Sequence, residues 1–438
     1  MRDGDPLRIR LPEQVRTVLA RLIEAGEEAA LVGGGVRDLL HGDDPADWDV
    51  ATSAPPERVA ELFPGSTWEN PFGTVTVRDP DGARGVEVTT FRLEGAYRDQ
   101  RRPDFTINAV AWLPEELATG TGKLVDPFGG SQDIERRVLR AVGDPSARFE
   151  EDALRLVRAV RFATRFELEI DPATEAAIRE HAAAAGTLSG ERVRDELFRI
   201  LAGSRPPSLA FALMERLGLL TVLLPELAAL RGVPQAKRLE GDALDHSLRT
   251  ADVLPASDPA LRLTGLLHDL GKATTLADGH FIGHESAGAE LAEGVLKRLR
   301  SPRAEISRIA RLIRLHMFAY RPSWTDAAVR RFVRRVGVDL LDDLFALRAA
   351  DNAASGTGEP ASGGIDELRA RAAAVAASGP LDTGQLAIRG DDLVAELAIA
   401  PGPEIGRLLA RLLDAAIDDP SLNERERLLE LARELHVS

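Results

Sequence analysis

The chain contains no cysteine. Disulfides and thiolate-held metals are therefore excluded, which fits a reducing compartment. It also lacks any apolar run of about 18 residues, the length that a membrane-spanning helix needs. The opening residues, Met1 to Arg10, lead into no apolar signal segment, so the expected location is cytoplasmic with no membrane partner. Positive charge is in deficit, with a formal net charge of −15. Taken alone, that argues against a nucleic-acid partner. The local distribution points the other way. Between Lys297 and Arg335 a run of arginines is opposed only by Glu305 and Asp326, and a second arginine-rich stretch, Arg136 to Arg165, is interleaved with acids. Such a stripe can hold a nucleic-acid backbone; the plain alternative is a pair of solvated helices. Histidine is scarce too, and five of the eight lie between His246 and His316.

A length of 438 residues is too great for one core and predicts two to four domains. The stretch that organises the chain is Leu31-Val32-Gly33-Gly34-Gly35-Val36-Arg37-Asp38, followed by Asp47-Trp48-Asp49. An apolar strand, Ala29 to Val32, runs into glycines that let backbone amides approach an anion closely. A helix starts at Val36. Asp47 and Asp49 are two apart, which in a strand puts both carboxylates on one face. Paired carboxylates behind a glycine turn suggest divalent metal and phosphoryl chemistry on a triphosphate.

Before this stretch, Leu11 to Ile23 has a helical apolar pattern, and Pro55-Pro56 starts another helix after it. Strands are predicted over Thr74–Val77 and Val86–Phe91, the second bringing Glu87 toward the aspartate pair. Asp104 and Asn108, four apart, share a face if helical. Beyond about residue 131 the pattern is helical almost to the end. Asp152 and Arg155 face the same way on a helix opening at Glu151; they are either a surface ion pair or an acceptor beside a two-pronged donor, able to read a base. His246, predicted to precede a helix, His268-Asp269, His284, His316 and the late acid Asp351 form a second constellation, suited to a divalent metal whose identity the residue types leave open. His280, in a loop, is not expected to be a ligand. Residues 356–378, rich in Gly, Ala and Ser, read as a flexible connection.

Together these residues resemble the tRNA nucleotidyltransferase/poly(A) polymerase family, specifically its bacterial-type (class II) CCA-adding group with an HD domain. The resemblance covers roughly residues 25–435. It rests on Gly33-Gly34-x-Val36-Arg37-Asp38, Asp47-x-Asp49, Glu87-Val88-Thr89-Thr90-Phe91-Arg92, Asp104-Phe105-Thr106-Ile107-Asn108-Ala109 and Asp126-Pro127-Phe128-Gly129-Gly130. Val142-Gly143-Asp144-Pro145, Arg148-Phe149-x-Glu151-Asp152-x-x-Arg155 and His268-Asp269-x-Gly271-Lys272 complete the set. It implies an α/β nucleotidyltransferase head with a mixed β-sheet over 1–140. An all-α neck and body over 141–238, an HD domain over 239–356 and a linker with a helical tail over 357–438 would follow.

The resemblance also implies site roles. Asp47 and Asp49 would hold two divalent metals, Mg by family precedent, with Glu87 assisting, while a tRNA 3′-hydroxyl attacks the α-phosphate of CTP and pyrophosphate leaves. Gly33, Gly34 and Arg37 would sit by the triphosphate. Asp104 and Asn108 would handle the ribose, and Asp152 and Arg155 would pair with the incoming base. The helical regions would grip tRNA by backbone and shape. In the HD half, His246, His268, Asp269 and Asp351 would bind a divalent metal such as Mg, Mn or Ni, with His284 and His316 as candidates for a second. Family precedent there is phosphatase and 2′,3′-cyclic phosphodiesterase activity.

One departure bears on the product. Members that add the full CCA carry a further flexible segment and an arginine pair just before the Asp-Phe-Thr motif. Here Arg101-Arg102-Pro103 runs directly into Asp104. A shortened loop characterises the CC-adding members, in which the base template does not reorient from C to A. The sequence is therefore expected to add CC with CTP and to need a separate A-adding enzyme. The alternatives are full CCA addition with CTP and ATP, A addition, or mainly HD-type hydrolase activity.

Overall fold

A computed structural model of the chain describes every residue except 46, 69–73, 79–84, 91–102, 236–238, 357–363 and 438, and all but the side chain of Val437. The stretch carrying the shortened loop lies outside the described residues. The chain divides into two compact units. One is Met1–Glu196 with Leu209–Leu223; the other is Leu197–Ser208 with Leu224–Ser438.

The first unit holds a seven-stranded mixed sheet of β1 (Pro6–Arg8), β2 (Ala29–Val32), β3 (Asp49–Thr52), β4 (Thr74–Val77), β5 (Val86–Thr90), β6 (Ala111–Glu116) and β7 (Thr121–Val125), in the order β1-β7-β6-β2-β3-β5-β4. Only β3 and β5 run parallel; the return path between them includes the helix Pro56–Leu62 and β4. The helix Glu13–Glu24 buries Val15, Val18, Leu19 and Leu22, the stripe predicted from sequence, in one core with Val50, Val88, Val75 and Trp112. Helices follow from Gly130 onward, apart from the two-residue strands Val138–Leu139 and Glu169–Ile170.

The Asp126-Pro127-Phe128-Gly129-Gly130 motif has a mechanical reason. Asp126 Oδ1 accepts from Gly130 N at 2.7 Å, and its Oδ2 accepts from Ser131 N at 2.9 Å, capping the helix Gly130–Glu135. That helix lies so close to the Thr106–Asn108 turn that a β-carbon on Gly130 would stand 2.0 Å from the Thr106 carbonyl oxygen. Asp104 and Asn108 therefore do not share a helix face as expected; Asn108 ends a single 3₁₀ turn and Asp104 lies two residues before it.

The second unit is helical. Ala243–Val253, Pro259–Leu267, His284–Arg298, Arg303–Leu315 and Leu341–Ala354 surround the histidine constellation. His246 lies inside the first of these, not before it as expected, because the capping box of Asp242 and Asp245 starts the helix at Ala243. Ile365–Ser378 is a helix with Ile365, Leu368, Ala372 and Val375 buried, so most of the expected flexible connection is ordered by packing against its unit's core. A smaller core, from Leu386 to Ala432, closes the tail. Among the described residues no helix is long and apolar enough to cross a membrane.

Gly271 shows why that motif position is glycine. A β-carbon there would meet the His284 carbonyl oxygen at 2.1 Å and Gly288 N at 2.7 Å, so two backbones touch at this point. Gly271→Ala should lower unfolding free energy by roughly 2–3 kcal/mol through forced displacement of the His284 helix. Urea unfolding measures it, and an unchanged midpoint would contradict the close approach.

Candidate active and metal sites

The head site is built where β2 ends. Gly33 turns the chain with φ 71° before the helix Gly34–His41, and a β-carbon there would lie 3.2 Å from Asp49 Oδ2. Asp49 opens β3, directly opposite Glu87 of parallel β5. Asp47 falls outside the strand, in an exposed bend, so the expected same-face pair within one strand is not formed. Its negative charge still reaches Asp49. Burial, then Glu87 and Asp47, push the Asp49 carboxyl up to about 6, against the opposing pull of Arg37. A crowded, incompletely neutralised carboxylate group beside a backbone-lined turn fits a divalent cation. Asp47 and Asp49 would be its holders, with Glu87 alongside.

Arg37 is buried, and its charge is already engaged. Nε and Nη2 donate to Asp38 Oδ1 at 2.8 and 2.5 Å, and Nη1 donates to Asn108 Oδ1 at 2.5 Å. The guanidinium stacks on Phe162 and Phe166, with centroid distances of 5.1 and 4.6 Å. Asn108 Nδ2 in turn donates to Asp104 Oδ1 at 2.7 Å, and Asp104 Oδ2 accepts from Arg158 Nε at 2.6 Å. Gly33, Gly34, Arg37, Asp104 and Asn108 are thus brought together, the last three as one bonded chain.

Asp152 and Arg155 are not on one helix. The helix Pro145–Glu151 ends before Asp152, which is extended, and the next helix, Leu154–Arg165, contains Arg155. Asp152 Oδ1 accepts from Leu154 N, which explains the break: a short acceptor satisfies an amide at the new helix start. Asp152 also accepts from Arg192 Nη2 at 2.7 and 3.0 Å, while Arg155 donates to Glu151 Oε2 and the Arg148 carbonyl. Burial works to raise the Asp152 carboxyl, but Arg192 and the Leu154 amide hold it below the usual carboxylate range.

In the second unit the histidines converge on Asp269. Its Oδ2 lies 3.3 Å from His268 Nε2 and 3.6 Å from His246 Nε2, and its Oδ1 lies 3.6 Å from His284 Nε2 and 3.8 Å from His316 Nε2. His246 Nε2 is also 3.0 Å from Asp351 Oδ1. The Nδ1 atoms of His268, His284 and His316 lie 2.8, 2.7 and 2.6 Å from the carbonyls of Gly265, Phe281 and Ile313. A carbonyl can only accept, so each Nδ1 carries the proton and each Nε2 presents a lone pair. Nε2 of His268 and of His284 is buried without a hydrogen-bond partner. Burial pushes the His316 imidazole down to about 3, so it is neutral at physiological pH. Ligand atoms of His246, His268 and Asp351, and of His268, Asp269 and His316, fall within 4.8 Å of one another. This donor set fits a divalent metal. Among the described residues such groupings do not include the head carboxylates. His280 is exposed in its loop, away from the cluster.

Several neighbours escaped the sequence reading. Lys272 Nζ donates to Asp269 Oδ2 at 2.6 Å and to Gln235 Oε1 at 3.2 Å. Lys272 belongs to the quoted HD motif, whereas nothing in the sequence flags Gln235. Burial opposes the Asp269 charge, but the Lys272 ammonium beside it offsets that and the carboxyl is held well below the usual range. Several arginines of the basic stripe 297–335 are ion-paired within their own unit. Arg308 pairs with Asp258 and Asp343, Arg298 with Glu226, and Arg331 and Arg334 with Asp418 and Asp414. These arginines fasten helices to one another.

Two outcomes are expected. Asp49 binds its proton more tightly when folded, so its ionisation costs stability as pH rises through about 6. In EDTA at neutral pH, Asp49→Asn should therefore unfold at higher urea than the parent, by on the order of 1 kcal/mol after allowing for solvent screening, and the gain should vanish below about pH 4. Equal stability at both pH values would refute the crowding. In the second unit, equilibrium dialysis against Mn²⁺ or Ni²⁺ should leave metal on the parent and on His280→Ala. Asp269→Ala should bind at least about tenfold more weakly. Undiminished binding would remove Asp269 from the site.

Three family models match successive segments of the chain. Residues 29–140 match the family described as poly A polymerase head domain, 167–230 the probable RNA and SrmB-binding site of polymerase A, and 243–355 the HD domain. The A-adding tRNA nucleotidyltransferase of Deinococcus radiodurans is 37% identical over 415 residues, covering 88% of this chain and 91% of that protein. The CCA-adding enzyme of Geobacillus kaustophilus is 34% identical over 442 residues, covering 95% of each. The crystal structure of the Bacillus stearothermophilus CCA-adding enzyme in complex with CTP superposes with a TM-score of 0.72 at 28% identity over 97% of each chain. With relatives this similar over nearly their whole length, the chain belongs to the tRNA nucleotidyltransferase/poly(A) polymerase family, in the form that joins a nucleotidyltransferase head to an HD domain.

Proposed function

We propose that the chain is a template-independent tRNA 3′-end nucleotidyltransferase that uses CTP and ATP to build CCA. The observation that carries this reading is the register of Asp49 against Glu87 beside the Gly33 turn, with the Asp49 carboxyl raised by its acidic neighbours. Full-length relatives named as CCA-adding enzymes support the choice of product. In the reaction, the tRNA 3′-oxygen forms a bond to the α-phosphorus, the α–β bridge bond breaks, and pyrophosphate leaves with the bridging oxygen.

A divalent cation held by Asp47 and Asp49, expected to be Mg, would supply Lewis-acid stabilisation of the α-phosphate charge. The residues themselves do the positioning. Gly33 and Gly34 leave the backbone open to the triphosphate. Arg37 contributes a fixed positive charge behind it, and the Asp104–Asn108 pair is placed for the ribose. Asp152 and Arg155, each anchored by its own partner, present an acceptor and a donor to the base. The head lies within 1–140 and the base reader in 141–238, with tRNA held by the helical regions. The HD segment, 239–356, serves as a metal-dependent phosphohydrolase on phosphate ends, its metal held by His246, His268, Asp269 and Asp351, with His284 and His316 offering a second subsite.

A second reading, CC addition alone with a separate A-adding enzyme, is favoured by the direct passage of Arg101-Arg102-Pro103 into Asp104. A third, A addition, has the name of the Deinococcus relative in its favour. One experiment separates them. Transcripts of tRNA ending at the discriminator base, at C and at CC are incubated with Mg and labelled CTP or ATP, and products are sized at single-nucleotide resolution. Two C additions followed by A are expected. A stall after CC would establish the second reading, and ATP use on CC ends alone the third. Asp49→Ala should reduce incorporation by at least about a thousandfold on every substrate. Retained incorporation would reject the head site.

A further inference from the structure

The helix Leu154–Arg165 reaches the ribose segment through one side chain that no motif assigned. Arg158 lies one turn beyond Arg155, the proposed base reader. Its Nε donates to Asp104 Oδ2 at 2.6 Å, and its Nη1 stands 4.0 Å from Glu196 Oε1. Glu196 is buried and also accepts from Arg161 Nε at 2.6 Å. The Arg158 guanidinium lies over the Phe162 ring at 5.1 Å, the same ring on which Arg37 rests. Burial works against the Arg158 charge, but Asp104 and Glu196 more than offset it.

Asp104 is 5% exposed, and both of its oxygens are in use. Oδ1 accepts from Phe105 N at 3.0 Å and from Asn108 Nδ2 at 2.7 Å; Oδ2 accepts from Arg158. The Asn108 carbonyl oxygen is held by Arg37. What remains for a sugar hydroxyl is the second N–H of the half-buried Asn108 amide. Its orientation depends on Asp104, and the Asp104 carboxylate is fixed by Arg158.

We propose that Arg158 is a positioning residue for recognition of the ribose 2′-hydroxyl, acting through Asp104 on the Asn108 amide. The inference rests on the nucleotidyltransferase reading. Removing the guanidinium leaves a buried carboxylate with one oxygen unanswered, held only through Oδ1 by the Phe105 amide, so the direction it imposes on the Asn108 NH2 loosens. An amide held through its oxygen by Arg37 but no longer steadied on its nitrogen side by a fixed Asp104 presents its free N–H less precisely, so discrimination falls while the carboxylates Asp47, Asp49 and Glu87 stay in place.

The test titrates CTP and dCTP, in Mg buffer without tRNA, into the parent, Arg158→Gln and Arg158→Lys. The parent should bind CTP more tightly than dCTP. Arg158→Gln should lower the dCTP-to-CTP Kd ratio about tenfold, the value of a lost charge-assisted hydrogen bond. Arg158→Lys, which can still donate to Asp104, should recover part of the ratio. In tRNA extension the Arg158→Gln defect should appear in KM for CTP, with kcat changed by less than about twofold. If Arg158→Gln does not fold by circular dichroism, the lysine variant carries the comparison, with a ratio below the parent's expected. An unchanged ratio, with CTP and dCTP weakened equally, overturns the inference alone. A parent that binds neither nucleotide overturns the nucleotidyltransferase reading and this inference with it.

Discussion

A charge taken out of water must be answered where it sits, and both candidate sites are built on that requirement. In the first unit Asp38 answers Arg37 and Arg165, and Asp104 answers Arg158, while Phe162 and Phe166 offer ring faces to the same guanidinium groups. In the second unit Asp269 is answered by Lys272 and ringed by four imidazoles. Because Arg165 reaches Asp38, Arg158 reaches Asp104, and His246, His284 and His316 reach Asp269 from other segments, satisfying these charges also fixes how those segments meet.

The exception is informative. Asp49 faces Glu87 and Asp47, and the pull of Arg37 does not offset them. Nearby Asp38 and Asp104 are each answered by arginine, whereas Asp49 is left short of positive charge, next to a turn of glycines. Such a place suits a cation and a phosphate together. The histidine cluster solves a related problem by different means. Backbone carbonyls fix three tautomers in advance, so lone pairs converge with little reorganisation when a metal arrives.

Periodicity made much of the fold legible. The apolar stripe of the first helix, the strand before the glycines and the strands at Thr74 and Val86 lie where the pattern puts them. Errors arose where a local hydrogen bond outcompeted the pattern. Asp152 satisfies an amide and splits what reads as one helix; the Asp242 box starts a helix ahead of His246; Asn108 ends a 3₁₀ turn and bonds back to Asp104. The ion partners of the basic stripe 297–335 were hidden for another reason. Charge along a sequence is visible, whereas the acids that pair with part of it, Asp258, Asp343, Asp414 and Asp418, are remote in the chain.

The sequence by itself determined the family, the order of head and HD segments, and which carboxylates and histidines are candidates for the chemistry. Those depend on residue type and short spacing, which a linear chain displays. Only the tertiary structure decided which carboxylate is crowded and which is paired. It also decided that Arg158 reaches Asp104 across 54 positions. Coulomb interactions and hydrogen bonds depend on distance in space, and burial sets their strength. Neither quantity is written along the chain.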